Sequence, residues 1–317
     1  MSDNARWVRA FGSSTDAEWD VVIDKSIAGW QHTGLYAGRL ADGETRSLTA
    51  DSRELVVVPL AGSVGVVSVD EGGTKHEAEL AGRPSVFAGP TDVAYLPPGS
   101  QTSLTARGAA RVAVGYAVTA TPRGSREPAA FRHVSAKDVA VELRGAGSAS
   151  REVRSFATPD VLQAHSIIAC EVVTPAGNWS SYPPHKHDTD RPGVETELEE
   201  IYYFEVQAER SRPGGSIGGD TEGQAPRGLG YQRVYGTSDR PIDVFAEVRS
   251  GDVVLVPHGW HGPSMAAPGY DLYYLNVMAG PGAERAWRIC DDPAHAWVRS
   301  TWDGQDVAPR LPIGGPR

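Results

Sequence analysis

The chain has 317 residues, a formal net charge of −10, 36 Gly, 23 Pro and only two cysteines. That length accommodates two domains of ordinary size, each with its own core, while the acidic balance and the lack of a Lys/Arg-rich tract exclude a general nucleic-acid binder, which needs a basic surface against phosphate. With Cys170 and Cys290 as its only thiols, a disulfide framework is not expected and the cytoplasm is the natural compartment.

The N-terminal segment Met1 to Trp7 has no apolar stretch of signal-peptide length, and no later window approaches a membrane span. Short apolar runs between turn residues then argue for a mainly β chain. Glu54-Leu-Val-Val-Val-Pro-Leu60 reads as a strand, as do Asp92-Val-Ala-Tyr-Leu-Pro-Pro-Gly99 and Arg111 to Val118. Thr121 to Glu127, followed by Pro128, looks like the start of a linker.

The second half repeats this order. Asp252-Val-Val-Leu-Val-Pro-His-Gly259 matches Asp92 to Gly99 without a gap, Asp271 to Met278 follows as Arg111 to Val118 does, and Glu200 to Val206 resembles Glu54 to Leu60. The expectation is an all-β chain of two tandem β-barrel modules, residues 1–125 and 150–317, joined by a linker at 126–149. Gln207 to Gly230, rich in Gly, Ser and Pro, is expected to be an inserted loop or hairpin.

Pro184-His-Lys-His-Asp188 precedes an acidic cluster that leads into Ile201-Tyr-Tyr-Phe204. On an extended strand His185 and His187 share a face, and Lys186 points away from it. A later histidine follows a Pro turn: His258 and His261 compete for this place, and His261, where the chain enters the next strand, is favoured. Among Glu195, Glu197, Glu199 and Glu200, the favoured carboxylate is Glu200, taken as the counterpart of Glu54; Glu197 and Glu199 stand in reserve. Three imidazoles and a carboxylate suit Zn²⁺ or Mn²⁺, with Fe²⁺, Co²⁺ or Ni²⁺ as alternatives, and not the oxygen-seeking Ca²⁺ or Mg²⁺. In the matching register Gln101 stands where His261 does, so the first module is expected to be a metal-free scaffold.

Asn178 to Asp188, Leu198 to Phe204, Gln232 to Tyr235, Gly251 to Pro257, Tyr273 to Pro281 and Asp291 to Trp297 together resemble the 5-deoxy-glucuronate isomerase family of myo-inositol catabolism. The resemblance is dense over 150–297 and weaker in the first half. It implies a bicupin fold, related to 4-deoxy-L-threo-5-hexosulose-uronate ketol-isomerase, with metal ligands at His185, His187, Glu200 and His261. It also implies an aldose–ketose isomerisation of 5-deoxy-D-glucuronate to 5-dehydro-2-deoxy-D-gluconate. Trp260, where a Tyr is expected, and the insertion after Val206 depart from the family pattern.

For that reaction Glu197 and Glu199 are candidate bases and Tyr202 a candidate donor to the enediolate. Arg233 is the expected partner of the uronate carboxylate, with Gln232 beside it as a second substrate contact. A homo-oligomer is expected, since a second subunit can cover sheet edges. The competing readings are a cupin dioxygenase using the same kind of ligand set and a non-catalytic sugar-binding bicupin.

Overall fold

The computed structural model describes residues 2–119, 129–209, 228–282 and 284–314. The expected linker start at Thr121–Glu127 and most of the Gln207–Gly230 insertion lie outside the described residues.

The expected all-β architecture is present as three sheets. The first half forms an eight-stranded sheet around two long strands, Arg53–Val69 and Gln101–Val118, paired along most of their length. Register shifts between Pro59 and Ser63 bend the pair, as bulges do. The beginning of Arg53–Val69 therefore pairs with Val93–Leu96, and its end with Lys75–Arg83. One bent ribbon supplies both layers of the barrel.

In the second half the two layers are separate sheets. One is seven-stranded and centred on Glu199–Ala208 and Tyr270–Ala279. The other is six-stranded and contains Gly230–Tyr235, Trp260–Ala266 and His185–Lys186. Strand alternation then assigns faces. Tyr202 and Phe204 stack inside the second barrel, while Tyr203 and Glu205 turn towards the first half, where Glu205 pairs with Arg111. Both faces are covered, so Val253–Val256 is buried at every position, as its unbroken apolar run requires.

The core continues across the two modules: Leu35, Val56 and Ala113 belong to one cluster with Ile201, Tyr203 and Val277. The sheets approach closely where Gly115 meets Val277, since a Cβ at Gly115 would lie 2.7 Å from Val277 Cγ2. A buried ion pair and further hydrogen bonds also cross this contact. Arg83 pairs with Glu171, which accepts from Tyr273 Oη at 2.6 Å. Arg154 pairs with Glu152 and donates to the carbonyls of Val86 and Gly89.

The first module lends an edge strand to the second. Val8–Arg9 pairs with Val253–Val254 of the second module. Within the stretch expected to be linker, Arg132–Val134 pairs with Val93–Tyr95 and Ala140–Arg144 with Arg151–Ser155. These short pieces cap sheet edges whose open hydrogen-bonding groups would otherwise face water.

Candidate metal centre

His185 and His261 are cross-strand partners in the six-stranded sheet. His187 follows two residues on, and Glu200 reaches them from the facing sheet. The ring centroids of His185 and His187 lie 4.6 and 4.5 Å from that of His261. One nitrogen from each of the three rings falls within 4.8 Å of the others. Glu200 Oε2 is 3.1 Å from His187 Nε2 and 3.0 Å from His261 Nε2. All four side chains are buried.

The backbone orients two of the imidazoles. His187 Nδ1 donates to the Leu198 carbonyl at 3.2 Å, and His261 Nδ1 to the Gly259 carbonyl at 2.9 Å. A carbonyl can only accept, so Nδ1 carries the proton in each ring and Nε2 faces Glu200. His261 Nε2 is buried beside the Glu200 carboxylate. A metal held there would take both the imidazole nitrogen and the carboxylate as donors. The donor set, three imidazoles and a carboxylate, fits a borderline divalent metal.

Electrostatics prepares the site. Burial works against the charge on Glu200, but hydrogen bonds and charge from His187 and His261 outweigh it and hold its pKa at about 2. Burial, then the neighbouring His261 and His187, pushes His185 well below the usual imidazole range, so this ring is neutral. Burial also disfavours a charged His187, but the bond to Glu200 outweighs burial and raises its pKa. Metal binding to such a set displaces protons.

A cavity of about 450 Å³ opens on this centre, with His185, Glu200, Tyr202 and Tyr274 in its wall. Ser181 Oγ links the two phenols, 3.5 Å from Tyr202 Oη and 3.0 Å from Tyr274 Oη. Trp287 lines the same cavity, and its Nε1 is buried without a partner. The wall also carries three guanidinium groups, Arg144, Arg151 and Arg299, which the sequence motifs did not single out.

The other expected residues fall elsewhere. Glu199, a reserve ligand and candidate base, points to the opposite face from Glu200. Its carboxylate accepts from the backbone N–H groups of Gln31, His32 and Thr33 and from the Thr33 hydroxyl, at 2.7–3.1 Å. Glu197 is half-buried and does not line the cavity. Glu195 is buried against Lys186 and Arg191, which leaves Lys186 turned away from the imidazoles as expected.

Arg233 is not in the cavity wall. It alternates outwards on Gly230–Tyr235 and bonds to Asp243 and the Val244 carbonyl. Gln232 points inwards and is buried, but its Oε1 accepts from Ser264 Oγ and it does not line the cavity. His258, the competitor of His261, is half-buried and lies outside the cluster of three imidazoles.

Strand pairing also corrects the comparison between modules. Leu55 pairs with Leu96, and Glu200 with Val256. Leu96 and Val256 are the matched positions of the repeat, so Leu55 is the counterpart of Glu200, and Glu54 of Glu199. The expected Glu54–Glu200 equivalence is off by one residue, which on a strand exchanges the faces. Likewise His185 pairs with His261 where Thr49 pairs with Gln101. The first module thus carries Thr49, Leu55 and Gln101 at the counterparts of His185, Glu200 and His261, with neither imidazole nor carboxylate among them.

A family model described as the KduI/IolB family matches residues 7–298. A curated protein of Geobacillus kaustophilus (strain HTA426), named 5-deoxy-glucuronate isomerase, is 38% identical over 289 residues, covering 90% of this chain and 92% of its own. One of the same name from Bacillus subtilis (strain 168) is 37% identical over 263 residues, 82% of this chain and 84% of its own. Among solved structures, an IolB-like protein of Salmonella typhimurium LT2 is similar with a TM-score of 0.76 and 33% identity, covering 92% of this chain and 98% of that one. Oxalate decarboxylase of Lactobacillus farciminis is similar with a TM-score of 0.60 at 12% identity, covering 90% of this chain and 88% of that one. That likeness is one of fold, the double cupin barrel.

Proposed function

Because the chain belongs to the KduI/IolB family, we propose that it is a metal-dependent 5-deoxy-glucuronate isomerase. The reaction converts 5-deoxy-D-glucuronate to 5-dehydro-2-deoxy-D-gluconate in inositol catabolism. The observation that carries the metal-dependent part is the buried cage of His185, His187, His261 and Glu200 opening on a cavity of sugar size.

His185, His187, Glu200 and His261 would hold the metal, Zn²⁺ or Mn²⁺ by preference and otherwise Fe²⁺, Co²⁺ or Ni²⁺. When bound, it supplies a Lewis acid that polarises a carbonyl and steadies the negative charge of an enediolate. Tyr202 shares the inner face with Glu200. Burial, then the charge of Glu200, pushes its phenol well above the usual range, so the proton stays on Oη. Tyr202 then serves as a hydrogen-bond donor to a developing oxyanion, and Ser181 and Tyr274 continue a hydroxyl chain along the wall. Neither Glu197 nor Glu199 serves as base in this arrangement.

In the same reading the chain divides into modules 1–125 and 150–317, and the first is a metal-free scaffold. The protein works in the cytoplasm as a homo-oligomer; the edge strand Ala140–Arg144 exposes Val141 and Leu143 for such a contact. Among the described residues no helix is long and apolar enough to cross a membrane.

The test is NMR of 5-deoxy-D-glucuronate incubated with protein of measured metal content. In deuterated water the aldose signals should give way to those of the ketose, with solvent deuterium entering at the former aldehyde carbon. Metal-replete protein that leaves the spectrum unchanged would sink the reading.

A further inference from the structure

Three guanidinium groups line the cavity beside the metal centre, and two of them are already matched with carboxylates. Arg144 is bonded to Glu142 through Nε at 3.1 Å and Nη2 at 2.6 Å. Arg299 makes a two-pronged pair with Asp291. Arg151 has no carboxylate partner among the described residues. Its Nη1 donates to the Ala149 carbonyl at 3.1 Å, and its guanidinium carbon lies 5.6 Å from the Trp302 ring centroid.

Arg151 is also the most enclosed of the three, at 6% exposure. It stands directly across the strand pair from Arg144, with Arg299 on the same wall. Burial first, and then these like charges, depress its pKa to about 10. A buried cation without a counter-charge, next to two other cations, is destabilising. A guanidinium offers five donors and no acceptor, so what it lacks is an anion, and a planar fork matches a carboxylate best. His185 and Glu200 line the same cavity, so an anion held at Arg151 shares that space with the metal centre.

We propose that Arg151 anchors the substrate carboxylate, gripping the acid end of the sugar while its C1 and C2 oxygens face the metal ligands. The assignment rests on the isomerase reading of this cavity. It replaces Arg233, whose side chain lies outside the wall. Arg151 thereby makes the site selective for a sugar acid over its neutral alcohol, and it acts in binding rather than in proton transfer.

The experiment is calorimetric binding of 5-deoxy-D-glucuronate and of its neutral 6-alcohol, 5-deoxy-D-glucose, to the metal-loaded protein. Wild type is compared with Arg151→Met and Arg151→Gln, each checked for melting temperature and metal content. Wild type should prefer the acid by about tenfold or more, the scale of one charge-assisted hydrogen bond, and both variants should lose most of that gap. No preference in wild type, or a gap that persists in a folded variant, overturns the assignment. If the Met variant does not fold, the Gln variant decides alone. NMR of the same wild-type samples separates the two claims: acid-selective binding without isomerisation sinks the isomerase reading and leaves Arg151 in place. Isomerisation with an undiminished gap in the variants does the reverse.

Discussion

Glu54 and Glu199 are matched residues of the two modules, and each clasps the other module. Glu54 accepts from the backbone N–H groups of His165, Ser166 and Ile167 and from Tyr95 Oη. Glu199 accepts from those of Gln31, His32 and Thr33. Each carboxylate thus satisfies a run of buried and part-buried donors just where a strand of the opposite module begins. The pair explains why an acidic residue at the start of this strand occurs in both halves without being a ligand in either.

Glu199→Ala should therefore destabilise the fold and spare the metal site. Removing the acceptor leaves the buried N–H and hydroxyl of Thr33 and the part-buried N–H groups of Gln31 and His32 without it, at a cost of about 2–4 kcal/mol. Glu200→Gln should do the opposite, losing metal while the melting temperature of the metal-free protein changes little. Thermal melts beside elemental analysis check both. A Glu199→Ala protein that loses metal but not stability would reverse the assignment of these neighbours.

His261→Ala should abolish both metal binding and isomerisation in a chain that still folds, since it removes one of three imidazoles in a closed set. Wild type should hold one metal per chain. Thr49, Leu55 and Gln101 occupy ligand positions in the first module and offer no borderline-metal donor. A second tight equivalent that survives His261→Ala would contradict this.

Tyr202→Phe should retain metal, since Tyr202 is not a ligand, and lose turnover. Loss of one donor aimed at developing negative charge is worth about 10²-fold in kcat. Rates measured at saturating substrate, with metal content normalised, check it. Unchanged kcat would reduce Tyr202 to a packing residue against Phe204 and Tyr274.

The contact between modules should be sensitive to acid through Glu171. Burial raises its pKa, but the charge and hydrogen bonds of Arg83, then Arg154 and Tyr273, outweigh burial and leave it below the ordinary carboxylate value of 4.5. A depressed carboxyl contributes stability that is present above pH 4.5 and lost as pH falls through the folded-state value. Glu171→Gln should flatten the acid limb of the stability profile below pH 4.5. Arg83→Ala should cost about 3–5 kcal/mol at neutral pH, because it strands a buried anion; denaturant melts across pH measure both.

The strands, and the residues that meet at the candidate metal centre, were legible in the sequence because both depend on local pattern. Alternation puts His185 and His187 on one face, and the buried runs Ile201–Phe204 and Val253–Val256 have no polar face to offer water. Glu200 was selected through a comparison one residue out of register. Its proper counterpart is Leu55, a difference that only the pairing with Leu96 and Val256 exposes. The same alternation places Gln232 and Arg233 on opposite faces, so the sequence already held a reason to doubt them as joint substrate contacts.

What the sequence determined by itself was the all-β character and the grouping of His185, His187 and His261, since each follows from residue type and a period of two along a strand. Tertiary structure alone decided which guanidinium groups line the cavity beside the candidate metal centre. Arg151 comes from the Arg151–Ala157 strand, Trp302 from the C-terminal 3₁₀ turns at Ala296–Gly304 and His185 from the facing sheet. Their meeting depends on how two sheets and a tail pack, which no local period encodes. The destinations of Glu54 and Glu199 were settled likewise, because the backbone groups they satisfy belong to the opposite module.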